Sequence, residues 1–154
     1  MERTVIGIDP GQNGGIAVMS NGGVFVTKMP ATYADIYERL RAIKESYANP
    51  VAFLEKVGQG IPGQSSSATA TLARHCGHLE MALFALGIAT EEVTPQKWQK
   101  FYSNQIGTSR GLGKTQWKNR LKLEAQRRFP SENVTLWSAD ALLIAEYGKH
   151  QINQ

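Results

Sequence analysis

Three acidic residues lie in apolar stretches of this sequence, where a carboxylate is costly unless a cation or a hydrogen-bond donor satisfies it. Asp9 ends the first apolar run, Glu55 interrupts a second at 51–57, and Asp140 opens a third at 138–145. Carboxylate oxygens are the ligands that hard divalent cations such as Mg²⁺ prefer. We therefore take these three residues as candidates for a functional site, and a bound cation is one way to satisfy them.

Each of the three acids also has a purely structural explanation. Asp9 begins an Asp-Pro-Gly sequence, which is typical of a tight turn. Glu55 can be satisfied by an arginine as well as by a divalent metal. Asp140 follows Ser138, which we interpret as a helix N-cap, so that its charge can favour the positive end of the helix dipole. The residue types alone leave both explanations open for each acid.

The elements that must position these acids begin with a meander. Residues 4–30 predict three antiparallel strands, which are expected at 4–9, 15–20 and 23–29. The hairpin signal Ser-Asn-Gly-Gly joins the second strand to the third. Because side chains alternate along a strand, Val5, Gly7 and Asp9 share one face of the first strand.

A helix and a fourth strand follow. Apolar residues at helical spacing predict a helix over 32–47, and the run 51–57 predicts a strand. A helical crossover implies that this strand pairs in parallel with the first one. Since the carboxyl ends of parallel strands meet at one edge of a sheet, Asp9 and Glu55 are expected to converge there.

The remaining chain predicts mainly helices. They are expected at 68–86, at 96–102 after a short strand, at about 114–128, and from Ser138 onward. We interpret Trp98, Phe101 and Tyr102 as core residues and not as aromatic residues that stack on exposed nucleic-acid bases. His75 and His78 are three residues apart, so we interpret them as surface or interface residues and not as a metal pair.

Four sequence blocks, taken together, resemble a known family. They are IGIDPGQNGGIAV at 6–18, FLEKV at 53–57, TPQKWQK at 94–100 and ADALLIAEYG at 139–148. In this order they are similar to the RuvC family of Holliday-junction resolvases, which are ribonuclease H-like nucleases, and most similar to its phage and organellar-like branch. The resemblance implies one nuclease domain over 1–154. Its fold would be α/β and ribonuclease H-like, with a mixed five-stranded sheet (an antiparallel meander plus parallel strands) flanked by helices.

The resemblance also implies an activity. RuvC-like enzymes cut four-way DNA junctions in pairs near the crossover, and they act as homodimers because the junction offers two strands to cut symmetrically. Asp9, Glu55 and Asp140 would then be catalytic metal ligands for Mg²⁺, or for Mn²⁺ as a substitute, with two ions per subunit. Two such ions activate a water and stabilise the departing 3′ oxygen.

Basic residues are concentrated in one segment. The formal net charge of the chain is only +4, but residues 97–128 contain nine Lys and Arg against one acid, a difference of +8. Such an excess suits a polyanion, since each phosphate contact adds about 0.9 to the salt slope on duplex DNA. RuvC relatives carry functional basic residues before their final helix. By this resemblance Lys118 and then Arg120 are the first candidates for DNA contacts, with Lys114 and Lys122 beside them.

The loop after the second acid is a further candidate for DNA binding. Residues 58–67 are rich in Gly and Ser, and they offer amides and hydroxyls that can approach phosphates, although a plain connector is equally open. Family members use the equivalent loop to enter the junction. We therefore expect Gln64 and Ser65 to lie near DNA.

The chain departs from the RuvC pattern at one point. RuvC-type enzymes usually have a fourth acid or a histidine three to five residues before the acid that matches Asp140, but positions 135–137 are threonine, leucine and tryptophan. Glu132 and Glu146 do not match the motif. This gap leaves open a junction-binding protein that cuts weakly or not at all. A second alternative is another ribonuclease H-like nuclease, which would share the three acids and act on structured RNA or forks.

Composition excludes several other classes. The chain has 154 residues, of which 42% are hydrophobic, and this suits one globular domain. Its single cysteine, Cys76, excludes an intrachain disulfide and a cysteine-based zinc site. With no membrane-length apolar run, we expect a soluble intracellular protein of a bacterium, a phage-infected cell or an organelle, and no membrane partner. The chain is too short for the two lobes of an actin-like phosphotransferase.

Overall fold

A five-stranded mixed sheet lies at the centre of the structure, a computed structural model that describes residues 3–58 and 62–154. The strands are β1 (Val5–Asp9), β2 (Gly15–Ser20), β3 (Gly23–Lys28), β4 (Val51–Glu55) and β5 (Ala89–Val93). They lie in the order β3-β2-β1-β4-β5, with β1, β2 and β3 antiparallel and with β4 parallel to both β1 and β5. The predicted meander and the predicted parallel pairing of the first and fourth strands are confirmed.

Helices cover both faces of this sheet. They are α1 (Tyr33–Ser46), α2 (Ser66–Ala85), α3 (Pro95–Lys100), α4 (Ser103–Ile106), α5 (Lys114–Arg128) and α6 (Leu136–Ile152). Side chains alternate along β1, so that Ile6 and Ile8 pack with α1 and α2, while Val5 packs with α3, α5 and α6. The sheet is therefore the middle of three layers, as the expected fold class requires.

The approach of α6 to the sheet is unusually close. A methyl group on Gly7 of β1 would overlap the carbonyl oxygen of Ala141 and the Cβ of Ala145 in α6, and one on Gly148 would overlap the ring of Phe53. Glycine at these two positions lets the helix lie directly on β1 and β4. This contact brings the start of α6 to the carboxyl end of β1.

One helix start differs from the prediction in a way that matters for Asp140. The expectation that Ser138 is the N-cap of the last helix is wrong, since the helix begins at Leu136 and Thr135 is the cap. Ser138 lies at the third helical position, where its hydroxyl accepts the Thr135 N–H at 2.9 Å. Asp140 is therefore the fifth residue of α6 and lies beyond its first turn. Its position weakens the helix-dipole explanation of its charge, because the dipole acts within the first turn.

Other boundaries shift by a few residues. α2 begins at Ser66 instead of 68 because the Ser65 hydroxyl accepts the Ala68 N–H at 3.1 Å, and β4 ends at Glu55 instead of 57. The predicted helix 96–102 ends at Lys100 as α3, and a separate short helix, α4, follows it at Ser103–Ile106. Within the described ranges, we find no helix with the length and apolar character that crossing a bilayer requires.

Candidate active site

Asp9 and Glu55 end two neighbouring parallel strands. The last recorded pair in the register of β1 and β4 is Ile8 with Leu54, and the next residue of each strand is one of the two acids. Both side chains are half-buried. The strand ends thus place two carboxylates at the same edge of the sheet, as the sequence predicted.

Asp140 approaches from the helical layer above this edge. Its charge raises the pKa of Asp9 and of Glu55, so the three carboxyl groups share one electrostatic environment. Burial is the largest cause in each case: it raises the pKa of Asp9 and Asp140 well above the usual range of a carboxyl group, and it raises the pKa of Glu55 to about 7. The structure therefore brings all three predicted residues together as a group of acids that resist being charged at the same time.

Lys118 is a basic residue whose charge acts on this group of acids. Its charge lowers the pKa of all three acids, although its own side chain is exposed. It lies on α5, four residues from both Lys114 and Lys122, and this spacing places the three lysines along one face of the helix. Lys118 thus presents positive charge beside the acids, on the face of α5 that also carries Lys114 and Lys122.

The donor set suits a divalent cation, but it is not drawn tightly together. Among the residues that the structure describes, no three His, Cys, Asp or Glu side chains form a group close enough to hold a metal ion. The chemistry of the three acids nevertheless fits one, because they are hard oxygen donors whose mutual repulsion a cation would relieve. Asp9, Glu55 and Asp140 are accordingly the residues that could hold it.

The basic segment contributes less free charge than its composition predicted. Glu124, its single acid, is only 4% exposed, and it accepts hydrogen bonds from Arg127 at 2.6 Å and from Arg128 at 2.7 Å. These bonds lower the pKa of Glu124 despite its burial. The Arg128 guanidinium also lies over the ring of Tyr102, 4.8 Å from its centroid. Both arginines are therefore paired with Glu124, and the excess of +8 overstates the charge that is available to DNA.

The other predicted DNA-binding residues have structural partners of their own. Arg120 donates from Nη1 to the carbonyl of Ile106 at 2.9 Å. Ser65 caps α2, and Gln64 accepts a hydrogen bond from the Thr69 hydroxyl at 3.0 Å. A cavity of about 240 Å³ lies beside Glu55 and includes Gln64 in its lining. Part of the predicted DNA-binding loop, residues 59–61, lies outside the described residues.

Trp98 lies in this site as well as in the core, where its sequence context predicted it. The core prediction is confirmed, since Trp98 and Tyr102 are 0% exposed, whereas Phe101 is half-buried. The Trp98 indole also donates from Nε1 to Glu55 Oε2 at 2.7 Å. Only its place in the TPQKWQK block, shortly after β5, could have directed attention to Glu55, because no spacing rule joins residues 43 positions apart.

Glu146, the second acid on α6, does not fill the gap in the RuvC pattern. Glu146 is approached by Arg128 at 3.7 Å and by His150 at 3.3 Å, so it belongs to the packing of α5 and α6. His75 and His78 are half-buried on α2, and the ring of His78 lies against Tyr33 at a centroid distance of 5.4 Å. Neither of these groups adds a ligand to the three acids.

Two solved structures share this arrangement of elements. A structure of Thermus thermophilus RuvC is 16% identical, aligns with a TM-score of 0.63, and the alignment covers 97% of this chain and 95% of the other. T. thermophilus RuvC in complex with a Holliday junction substrate is also 16% identical, with a TM-score of 0.66 and coverage of 98% and 95%. At this identity the likeness establishes the fold: the chain has the ribonuclease H-like fold of RuvC. No protein-family model matches the chain, and the comparison with curated proteins found no match.

Proposed function

We propose that the protein is a structure-selective DNA endonuclease that resolves four-way junctions by paired, metal-dependent cleavage near the crossover. The observation that carries this proposal is the gathering of Asp9, Glu55 and Asp140 beside Lys118, at the strand ends of a RuvC-like sheet. One of the structural neighbours was solved with a Holliday junction substrate, which supports the choice of DNA junction as partner. We further propose that residues 1–154 act as one nuclease domain.

In this proposal the three acids would hold Mg²⁺, with Mn²⁺ as a substitute, at two ions per subunit. When bound, such a pair of ions activates water and stabilises the leaving 3′ oxygen. The acids are carried by two strand ends and a buried helix, and binding of the ions would draw their carboxylates together. Lys118 balances their negative charge, and its exposed ammonium can bind the phosphate next to the cut.

DNA would approach over α5 and the start of α2. Lys114, Lys118 and Lys122 form a basic face that suits a phosphate backbone, and Arg120 adds charge close by. Gln64 and Ser65 stand at the N-terminus of α2, where backbone amides favour phosphate. These contacts would position the junction so that the scissile phosphate meets the acids.

The enzyme would act as a homodimer. A groove of about 400 Å³ between α1 and α2 is lined largely by apolar groups, and the side chains of Tyr33 and Met81 there are 69% and 63% exposed. Phe84, next to it on α2, is 80% exposed. Exposed apolar patches of this kind mark interaction sites. A second copy of the chain is the occupant that we propose, because a twofold dimer matches the two strands of a junction that must be cut symmetrically.

A second candidate function follows from the metal site itself. The missing fourth acid, together with the absence of a tight group of metal ligands in the described residues, favours a protein that binds junctions and cuts them slowly or not at all. This alternative uses the same basic face and the same fold. It differs from the first only in the outcome of a cleavage assay.

The decisive experiment is cleavage of a labelled four-way junction, compared with a fork, a duplex and an RNA hybrid, in Mg²⁺ or in EDTA. Asp9→Asn should reduce junction cleavage by more than about 100-fold, because it removes one of the three carboxylates that would hold the metal ions. Junction binding in a gel-shift assay should persist. Asp35→Asn, which changes an exposed aspartate on α1, is the matched control and should cut normally.

Each result decides between the candidates. Junction binding without cleavage by the wild-type protein would support the binding protein. Preference for the fork or the RNA hybrid would support another ribonuclease H-like nuclease, and full cleavage by Asp9→Asn would remove Asp9 from its role.

A further inference from the structure

We propose that Trp98 is a positioning residue for Glu55: its indole N–H holds one carboxylate oxygen in place, so that the other oxygen is presented to a bound cation. The inference rests on the proposed function of the three acids and adds a residue to it. Its basis is the hydrogen bond of 2.7 Å from Trp98 Nε1 to Glu55 Oε2.

The donor is rigid. Trp98 is 0% exposed, and its ring meets that of Tyr102 edge-on at a centroid distance of 6.3 Å. Helix α3, which carries it, begins with Pro95, and the Thr94 hydroxyl caps it by accepting the Lys97 N–H at 3.3 Å. An indole that cannot change its rotamer in the core directs its single N–H at one point.

Glu55, the acceptor, is held by backbone pairing to β5, the strand that leads into α3. Glu55 pairs with Val93 across β4 and β5, and the Lys56 N–H donates to the Val93 carbonyl at 2.8 Å. Helix α3 starts two residues after Val93, so the chain that carries the indole leaves from the point where the carboxylate is anchored. Donor and acceptor therefore keep a fixed relative position.

The chemistry of the pair favours a positioning role over packing alone. An indole is a donor only, so it cannot compete with a carboxylate for a cation. A hydrogen bond to an ionised carboxylate is stronger than a neutral one, and it restricts the rotation of a flexible glutamate. Partners that orient a metal ligand in this way typically change metal affinity by about 10 to 100-fold when they are removed.

The chain provides a matched control. Trp117 on α5 also donates its indole N–H to a side-chain oxygen, that of Gln99 Oε1 at 3.1 Å, but its partner is an amide and not one of the acids. Trp117→Phe therefore removes the same hydrogen-bond donor at a site outside the acid group. Trp98→Phe and Trp117→Phe should differ in metal binding if the inference is correct.

The test measures Mn²⁺ binding to the full chain by isothermal titration, without DNA. Trp98→Phe should weaken Mn²⁺ binding about tenfold, and Trp117→Phe should leave it within twofold of the wild type. In a Glu55→Gln background, Trp98→Phe should have no further effect, because the indole acts through Glu55. In cleavage assays, excess Mn²⁺ should restore the rate of Trp98→Phe, which a general packing defect would not allow.

A second measurement does not depend on the folding of Trp98→Phe. The chain has three tryptophans, and their indole N–H signals can be assigned in the ¹⁵N NMR spectrum with Trp117→Phe and Trp137→Phe. Mg²⁺ should shift the Trp98 signal and leave that of Trp117 in place, and Glu55→Gln should abolish the shift. Three results would each overturn this inference without affecting the proposed metal site. They are a Trp98 signal that Mg²⁺ does not shift, equal Mn²⁺ affinity in Trp98→Phe and Trp117→Phe, and an undiminished effect of Trp98→Phe on Mn²⁺ binding in the Glu55→Gln background. A wild-type protein that binds no Mn²⁺ would overturn the proposed metal site and this inference with it.

Discussion

At the scale of single residues, the candidate site is defined by three carboxyl groups that the protein largely shields from water. Asp9, Glu55 and Asp140 are each raised in pKa chiefly by burial, and the first two are raised further by like charge. This arrangement supports the proposal that the three acids form a functional site and do not serve only a turn, an ion pair or a helix dipole. Perturbed acids that gather at a strand edge are typical of functional sites.

The raised pKa of Glu55 predicts a dependence of stability on pH. Burial raises it from 4.5 to about 7 in the folded protein, so between these pH values the folded state binds more protons than the unfolded chain. The contribution of Glu55 to stability is thus lost as the pH rises from about 4.5 to about 7. In EDTA, Glu55→Gln should flatten this decline in the free energy of unfolding, as measured by urea denaturation.

Metal binding should stabilise the folded protein most at high pH, where the protonation of Glu55 no longer does so. Because a ligand must be deprotonated to bind, Mg²⁺ should stabilise the wild-type protein more at pH 8 than at pH 5.5, and cleavage should fall below pH 7. Identical pH profiles for the wild-type protein and Glu55→Gln would contradict the assignment of this titration to Glu55.

At the scale of elements, the site depends on the close contact of α6 with β1. The helix is buried on nearly all sides, and its small residues at 141 and 145 face the glycine of the strand. Without that contact, Asp140 would stand farther from the strand ends. The packing of one helix thus decides whether the third acid joins the other two.

Gly7→Ala tests this contact. The added methyl group would overlap the backbone of α6, so the substitution should lower the free energy of unfolding by about 1 to 3 kcal/mol. Gly77→Ala is the matched control: it lies within α2 with open space around it, and alanine there should stabilise the helix by up to about 1 kcal/mol. Urea denaturation of both variants measures the difference, and a neutral Gly7→Ala would show that the helix can move away freely.

At the scale of the whole molecule, the acids and the exposed apolar groove lie on different parts of the fold. The acids face the layer of α5 and α6, whereas the groove lies between α1 and α2 in the opposite layer. A dimer formed through the groove would leave the acids of each copy accessible. The proposed homodimer is therefore compatible with two active sites working on one junction.

Phe84→Glu should disrupt this dimer. A charge at a side chain that is 80% exposed costs little in the folded monomer, but it should weaken association by more than about tenfold if a second copy covers the residue. Leu123→Glu, on α5 and 69% exposed, is the control for a general effect of added charge. Sedimentation velocity gives the oligomeric state, and a wild-type protein that is monomeric at all concentrations would reject the proposal.

The order and type of the main elements could be predicted from the sequence because they depend on local patterns. Alternation placed Val5, Gly7 and Asp9 on one face, and the helix between strands required β1 and β4 to be parallel. The convergence of Asp9 and Glu55 followed from those two rules alone. The start of α6 was predicted wrongly, since Thr135 and Ser138 are both good caps and only the packing of the helix selects one.

Side-chain pairings between distant elements were decided by the tertiary structure. Glu124 engages Arg127 and Arg128 because it is buried, and burial is a property of the packed layer that charge counting does not contain. The bond from Trp98 to Glu55 likewise joins two elements that become neighbours only when β5 adds to the sheet. The sequence by itself determined which acids could meet, through periods of two and of 3.6 residues. Only the folded chain decided that the Trp98 indole and the charge of Lys118 meet them, because such contacts depend on distances that no local period encodes.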